Sequence, residues 1–189
     1  MSVFYYNLGR IGMVLPIGPL MIEHRLIERM INLINKEVNR IEKENIVDVE
    51  FIHKATEFIR NYADAFHHGK EENILFRDLK TKQLQEDHKR IMNELIEEHK
   101  LGRKLTKTLI SARIDYIKGD KESLTIIKNT LKTLADFYPK HIAKEDKQFF
   151  KPIMDYFSTD EKDQMLKEEE EFDKKFAHFL YRKIITDLE

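Results

Sequence analysis

Apolar residues recur every three or four positions along most of this chain, the period of helices that each bury one face. Leu20, Ile27, Ile31, Ile34, Val38 and Ile41 mark such a face in a first helix. It starts near Pro19, a residue suited to the first helical turn, and frays near Glu42–Asn45. Asp48 reads as the N-cap of a second helix that buries Ile52, Ile59, Ala63 and Ile74 and ends around Leu79–Lys82. A third runs from about Gln83 to Lys118, turns Leu84, Ile91, Leu95, Thr106 and Leu109 inward, and stops at Gly119-Asp120. Gly102 lies on that face. A mid-helix glycine costs about 1 kcal/mol against alanine, so close packing is expected there. The fourth helix starts near Ser123 and keeps its rhythm through Ile127, Leu131, Leu134, Tyr138 and Phe149. Pro139 predicts a kink or a break one turn back, and Pro152 predicts the end. A fifth, from Thr159 or Asp160 to about Thr186, places Met165, Phe172, Phe176 and Phe179 on one side.

Long amphipathic helices with short connectors specify an all-α fold, an antiparallel up-down four-helix bundle with an additional C-terminal helix. The expected organisation is one domain over residues 1–189, with the bundle at 19–157 and the extra helix at 159–187. Residues 11–22, IGMVLPIGPLMI, are apolar but too short to span a bilayer and are interrupted by Pro16 and Pro19. They lack the flanks of a signal peptide and read as an ordered lead-in over one end of the bundle. A cytoplasmic location is the default expectation.

Composition narrows the chemistry. Only six Gly and four Pro in 189 residues agree with long helices. A formal net charge of -1 gives no field to draw nucleic acid or an anionic membrane, so neither is an expected partner. The absence of Cys excludes disulfides, zinc ribbons, iron–sulfur clusters and thiol catalysis. Any metal must be held by nitrogen and oxygen.

Polar residues that interrupt the apolar faces supply both. His24, His67 with Glu71, His99, and His141 with Glu145 come from four successive helices, and the histidines are 43, 32 and 42 residues apart. Residues four apart share a helical face, so each His-x-x-x-Glu pair can reach one small volume. A single histidine on an apolar face is more often a core residue with a satisfied hydrogen bond, and a single His-x-x-x-Glu pair more often lies on the surface. Four helices repeating the feature change the balance. Glutamate is rarely buried without a partner, and a dication offsets a burial cost of several kcal/mol. Imidazole plus carboxylate suits iron, manganese or zinc.

The segments HRLIE at 24–28, HHGKEENILF at 67–76, EHKLGRKL at 98–105 and HIAKEDKQFF at 141–150 resemble the hemerythrin, or HHE cation-binding, family over about residues 20–152. The resemblance implies two irons among four helices, bridged by two carboxylates and an oxo or hydroxo group. His24 and His67 would serve one metal, His99 and His141 the other, and Glu71 and Glu145 would bridge. Oxygen carriers of the family have two histidines four apart on the third helix. Here Arg103 and Leu95 stand four after and four before His99, leaving the set one nitrogen short. The pattern is more similar to the di-iron proteins that repair iron–sulfur clusters, although their Cys-containing N-terminal segment is missing. The implied activity is binding or turnover of a small oxidant: O2, hydrogen peroxide or nitric oxide. An iron- or oxygen-responsive sensing module is the alternative.

Three further residues are candidates for the ligand set or its surroundings. His68 forms a second i, i+4 pair with Glu72 but is rotated away from the apolar face, toward solvent or an outer position. Glu28, four after His24, would be a terminal carboxylate or an orienting partner of His24. Arg103 would pair with Glu28 or a bridging carboxylate. His88 lies too far along its helix, and His53 and His178 read as surface residues. Tyr62 and Tyr138 fall near the site by spacing.

Overall fold

The computed structural model describes residues 14–174 together with 182, 185, 186, 188 and 189. Helix α1 spans Ile17–Glu44, with Pro16 at its N-cap. Pro19 sits in the first turn, where its missing N–H breaks no intrahelical bond. Asn45 closes the helix in the left-handed conformation, and its N–H donates to the Ile41 carbonyl. The second bundle helix opens as α2 (Val49–Phe58), capped by the Asp48 carboxylate, which accepts from the N–H groups of Glu50 and Phe51. It then widens into two π-helical segments, Ile59–His68 and Glu71–Leu75, and finishes as α3 (Phe76–Leu79). The third is α4 (Glu86–Ile117), followed by Gly119 at φ 94°. The fourth is α5 (Glu122–Lys144), a π-helical segment Glu145–Phe149, α6 (Phe150–Ile153) and a 3₁₀ turn Met154–Tyr156. Among the described residues there is no strand.

Helix α5 packs against both α1 and α4, and the second bundle helix packs against α4 and, through its π-helical part, α1. This closes a four-helix ring. Pro139 does not break α5, which runs through it. Buried Leu134, Tyr138 and Ile142 on either side hold that turn in the core. Pro152 likewise sits inside α6, and the chain leaves the helical region only at Phe157.

The apolar interior falls into two clusters. One gathers Ile27, Ile34, Ile52, Tyr62, Leu109, Leu131 and Leu134; the other gathers Leu20, Ile74, Phe76, Leu95, Phe149 and Ile153. In three bundle helices the switch from one cluster to the other occurs across a histidine, Leu20–His24–Ile27, Phe66–His67–Ile74 and Leu95–His99–Leu109, and in the fourth, where Ile142 still packs with Tyr138, it occurs across Glu145, between Ile142 and Phe149. A polar layer therefore crosses the bundle between two dry halves.

Helix α7 (Thr159–Asp173) begins in a capping box between Ser158 and Glu161. Its buried residues are Met165 and Glu169. Phe172, half-buried, comes so close to the second bundle helix that a Cβ on Gly69 would lie 3.0 Å from its ring. A Cβ there is tighter than ordinary contact, and the Phe172 ring would have to shift by a few tenths of an ångström to admit it. Gly102 is different. A Cβ there would sit 3.7 Å from the Tyr138 hydroxyl and 3.8 Å from Phe137, ordinary contact distances, so close packing does not account for it. The expected lead-in up to residue 13 and the positions of Phe176, His178 and Phe179 lie outside the described residues. No helix among those described is long and apolar enough to cross a membrane.

Candidate metal centre

Seven side chains converge in the polar layer. His24, His67, Glu71 and Glu145 form one group and His68, His99 and His141 another; within each group the potential ligand atoms lie within 4.8 Å of one another. All seven residues are at most 2% exposed. The two glutamates connect the groups, each with its oxygens divided between them. Glu145 places Oε2 3.1 Å from His24 Nε2 and Oε1 3.2 Å from His141 Nε2 and 3.8 Å from His99 Nε2. Glu71 places Oε1 3.6 Å from His67 Nε2 and Oε2 3.4 Å from His99 Nε2.

The π-helical turns explain how the second bundle helix supplies three of the seven. Bonding from i to i+5 makes a wider turn than the α-helix, so successive side chains are rotated less and neighbours can share a face. His67 and His68 close the first π segment and Glu71 opens the next. Both imidazoles therefore point inward. The expectation that His68 faces away assumed 100° per residue, which does not hold here. His68 lies with its ring 3.8 Å from that of His99. The nitrogen that the third helix lacks four residues from His99 is offered by the second helix instead.

Each imidazole has one nitrogen engaged and one bare. The Nδ1–H groups donate to carboxylates: His24 to Asp146 (2.8 Å), His67 to Glu23 (2.9 Å), His99 to Glu72 (2.6 Å), His141 to Glu98 (2.8 Å), and His68 more weakly to Asp64 (3.4 Å). Four of these acceptors form a closed ring. Glu23, beside His24, supports the second helix; Glu72, beside Glu71, the third; Glu98, beside His99, the fourth; and Asp146, beside Glu145, returns to the first. A residue adjacent to an inward-facing one is rotated toward the neighbouring helix. These supports were missed in the sequence because each sits off the apolar face, although all four adjoin a candidate ligand. The Nε2 atoms of all five histidines, and both oxygens of Glu71 and Glu145, are buried with no hydrogen-bond partner.

Other candidates fall elsewhere. Glu28 is 38% exposed and pairs with Arg25 (3.0 Å), so it neither joins the site nor orients His24; Asp146 does the latter. Arg103 pairs with Asp64 (2.7 Å) and Glu72 (2.8 Å), not with Glu28 or a bridging carboxylate. Glu72 serves His99 rather than His68. His88 meets the Tyr156 hydroxyl, and His53 is exposed. Tyr62 stacks among Phe58 and Phe66, while the Tyr138 ring lies 6.4 Å from that of His141.

The electrostatics follow from burial. Burial and the charge of His24 push His67 down to about 4, and burial with neighbouring imidazoles pushes His68 well down. Both stay neutral, the form that binds metal. Burial also acts against protonated His24, but Asp146 and Glu145 outweigh it and raise the group to about 9. Burial and the facing Glu145 drive Glu71 well above the usual carboxylate range. Burial would raise Glu145 too, but His141, His24 and His99 hold it well below.

A metal fits this donor set. Two donors each about 2.1 Å from one ion, at right angles, are about 3 Å apart, close to the shorter nitrogen–oxygen separations here. Bare inward nitrogens backed by carboxylates are the arrangement found around metal-bound histidine. The family model for the hemerythrin HHE cation-binding domain matches residues 15–153. The chain belongs to that family, and cation binding, usually of iron, is the property the family carries. Searches of curated proteins and of solved structures returned no match to this chain.

Proposed function

We propose that the protein holds two iron ions and uses them to bind or turn over a small oxidant: O2, hydrogen peroxide or nitric oxide. His24 and His67 would hold one ion and His68, His99 and His141 the other, with Glu71 and Glu145 shared between them. One observation carries the reading. Five imidazoles spend Nδ1–H on carboxylates and leave Nε2 bare around two buried glutamates whose oxygens have no hydrogen-bond partner. Leaving such groups unpaired in a dry layer costs several kcal/mol each, and bound cations offset it.

The ions, when bound, supply redox chemistry toward the small molecule. The chain's own residues fix the ring orientations through the carboxylate belt and exclude bulk water with the two apolar clusters. The chain would offer two imidazoles to the ion on the His24 side and three to the ion on the His68 side, so the two-histidine side would have more room for a small molecule. Small-molecule binding is assigned to that side. The five-nitrogen count weakens the likeness to iron–sulfur cluster repair, which rested on a set one nitrogen short.

Elemental analysis after anaerobic ferrous loading and desalting tests the reading. About two irons per chain are expected, lost in Glu71→Ala and in His141→Ala. A stoichiometry near zero, or one untouched by both substitutions, overturns it. Turnover of peroxide or nitric oxide no faster than with free iron would remove the enzymatic part alone.

A further inference from the structure

Reducing O2 to water takes four electrons, and two ferrous ions supply only two of them. A side chain beside the centre can supply a third. The chain has no Cys and no Trp, so tyrosine is the side chain here that gives up a single electron most readily. The described tyrosines are placed differently. Tyr116 accepts from the Val47 N–H in the turn after α1, Tyr156 meets His88, and Tyr62 stacks among Phe58 and Phe66. Tyr138 instead stands edge-on to His141, a candidate ligand, with ring centroids 6.4 Å apart. Phe137 adds a second path of ring contacts, 5.2 Å from Tyr138 and 5.4 Å from His141. The Tyr138 side chain is buried, yet its hydroxyl end borders open space. Tyr138 and Gly102 both line a cleft of about 250 Å³ between the second bundle helix, α4 and α5. A Cβ at Gly102 would stop 3.7 Å from the hydroxyl oxygen. A larger side chain there would cover the hydroxyl. Glycine leaves it facing the cleft, which accounts for a mid-helix glycine that packing does not explain.

We propose that Tyr138 is a one-electron donor to the centre, and that its phenoxyl radical is restored through the cleft by a small soluble reductant of the ascorbate class. The proposal rests on the iron reading above. O2 takes two electrons from the two bound ferrous ions, a third from Tyr138 and a fourth from ferrous ion in solution, and becomes two waters. The four protons that this needs are drawn from solvent, and the phenol releases its own proton into the cleft as it is oxidised. Restoring the phenol takes one electron and one proton, both from ascorbate.

Full-length protein loaded anaerobically with ferrous iron, with a slight excess of ferrous ion in solution, is mixed with O2-saturated buffer, frozen and read by electron paramagnetic resonance. Wild type should show a radical whose hyperfine splitting changes when the protein carries ring-deuterated tyrosine. Tyr138→Phe, which keeps the ring and its packing, should lose the signal at wild-type iron content, while Tyr62→Phe keeps it. Gly102→Leu should keep the signal but lose it several-fold more slowly than wild type when ascorbate is added. The deuterium label and Gly102→Leu leave Tyr138 itself unchanged, so they stand even if Tyr138→Phe does not fold. A radical that persists in iron-loaded Tyr138→Phe overturns the proposal, as does the lack of any tyrosine radical in wild type that holds about two irons and oxidises them with O2. Equal decay with ascorbate in Gly102→Leu overturns restoration through the cleft. Wild type that holds no iron, or does not oxidise it with O2, overturns the metal reading instead, and elemental analysis with a ferrous assay on the same samples tells the failures apart.

Discussion

Replacing each bridging glutamate by glutamine should separate the two in the metal-free protein and unite them once metal is added. Two like charges in one buried volume do not both ionise. Glu71 faces His67, which burial keeps neutral, and Glu71 itself is driven upward by burial and by Glu145, so it carries the proton. Glu145 faces His24 at 3.1 Å, held protonated up to about 9, and keeps its charge. Glu71→Gln therefore exchanges one neutral group for another of the same shape, at a cost of about 1 kcal/mol or less. Glu145→Gln removes the anion from a buried pair, which costs about 3–5 kcal/mol. At about 2–4 °C per kcal/mol for a chain of this size, the apo Tm should fall by about 6–20 °C in Glu145→Gln and stay nearly constant in Glu71→Gln. Metal at a hundredfold excess over Kd stabilises the wild type by about 2.7 kcal/mol, a rise of about 5–11 °C. Neither amide replaces a bridging anion, so both variants should lose that rise. Calorimetry at pH 7 with chelator, then with metal, reads both effects. Equal apo destabilisation in the two variants would refute the charge assignment. A full metal-linked rise in Glu71→Gln would refute the bridging role.

Two further tests concern the fifth helix. Lys70 is fully buried and joins Glu23, the partner of His67, to Asp173 of α7. Lys70→Met should destabilise the protein by about 3–5 kcal/mol in denaturant melts and speed hydrogen exchange across 159–173; unchanged exchange there would show that Lys70 does not tie α7 to the bundle. Glu169 of α7 is 2% exposed, and neither oxygen has a hydrogen-bond partner among the described residues. Burial first, with Glu23 and Asp173 adding to it against Lys70, raises this group to about 8. The folded state then binds more protons than the unfolded one, and stability is lost as pH rises from the ordinary glutamate range through about 8. Glu169→Gln removes this loss. It should melt with the wild type at pH 4 and above it at pH 9, and parallel pH profiles would contradict the assignment.

The sequence by itself determined the bundle and six of its inward polar residues. A 3.6-residue period is a local property, so the apolar faces, the Asp48 cap and the Gly119 stop could be read without knowing any neighbour. His24, His67, Glu71, His99, His141 and Glu145 were legible because they fall on those faces, where an unpaired histidine or glutamate is costly. Tertiary structure alone decided three things. The widening of the second helix into π turns brought His68 inward, against its place on a regular helical wheel. The carboxylates Glu23, Glu72, Glu98 and Asp146 act on histidines of adjacent helices, and no period along one helix encodes which neighbour a side chain will meet. Glu28, one turn from His24 and on the same face by count, ended at the surface with Arg25, while Asp146, 122 residues away in sequence, took the place beside His24. Periodicity fixes which way a side chain faces when the helix is regular; what it touches is set by the packing of four helices around a layer that cannot be left uncompensated.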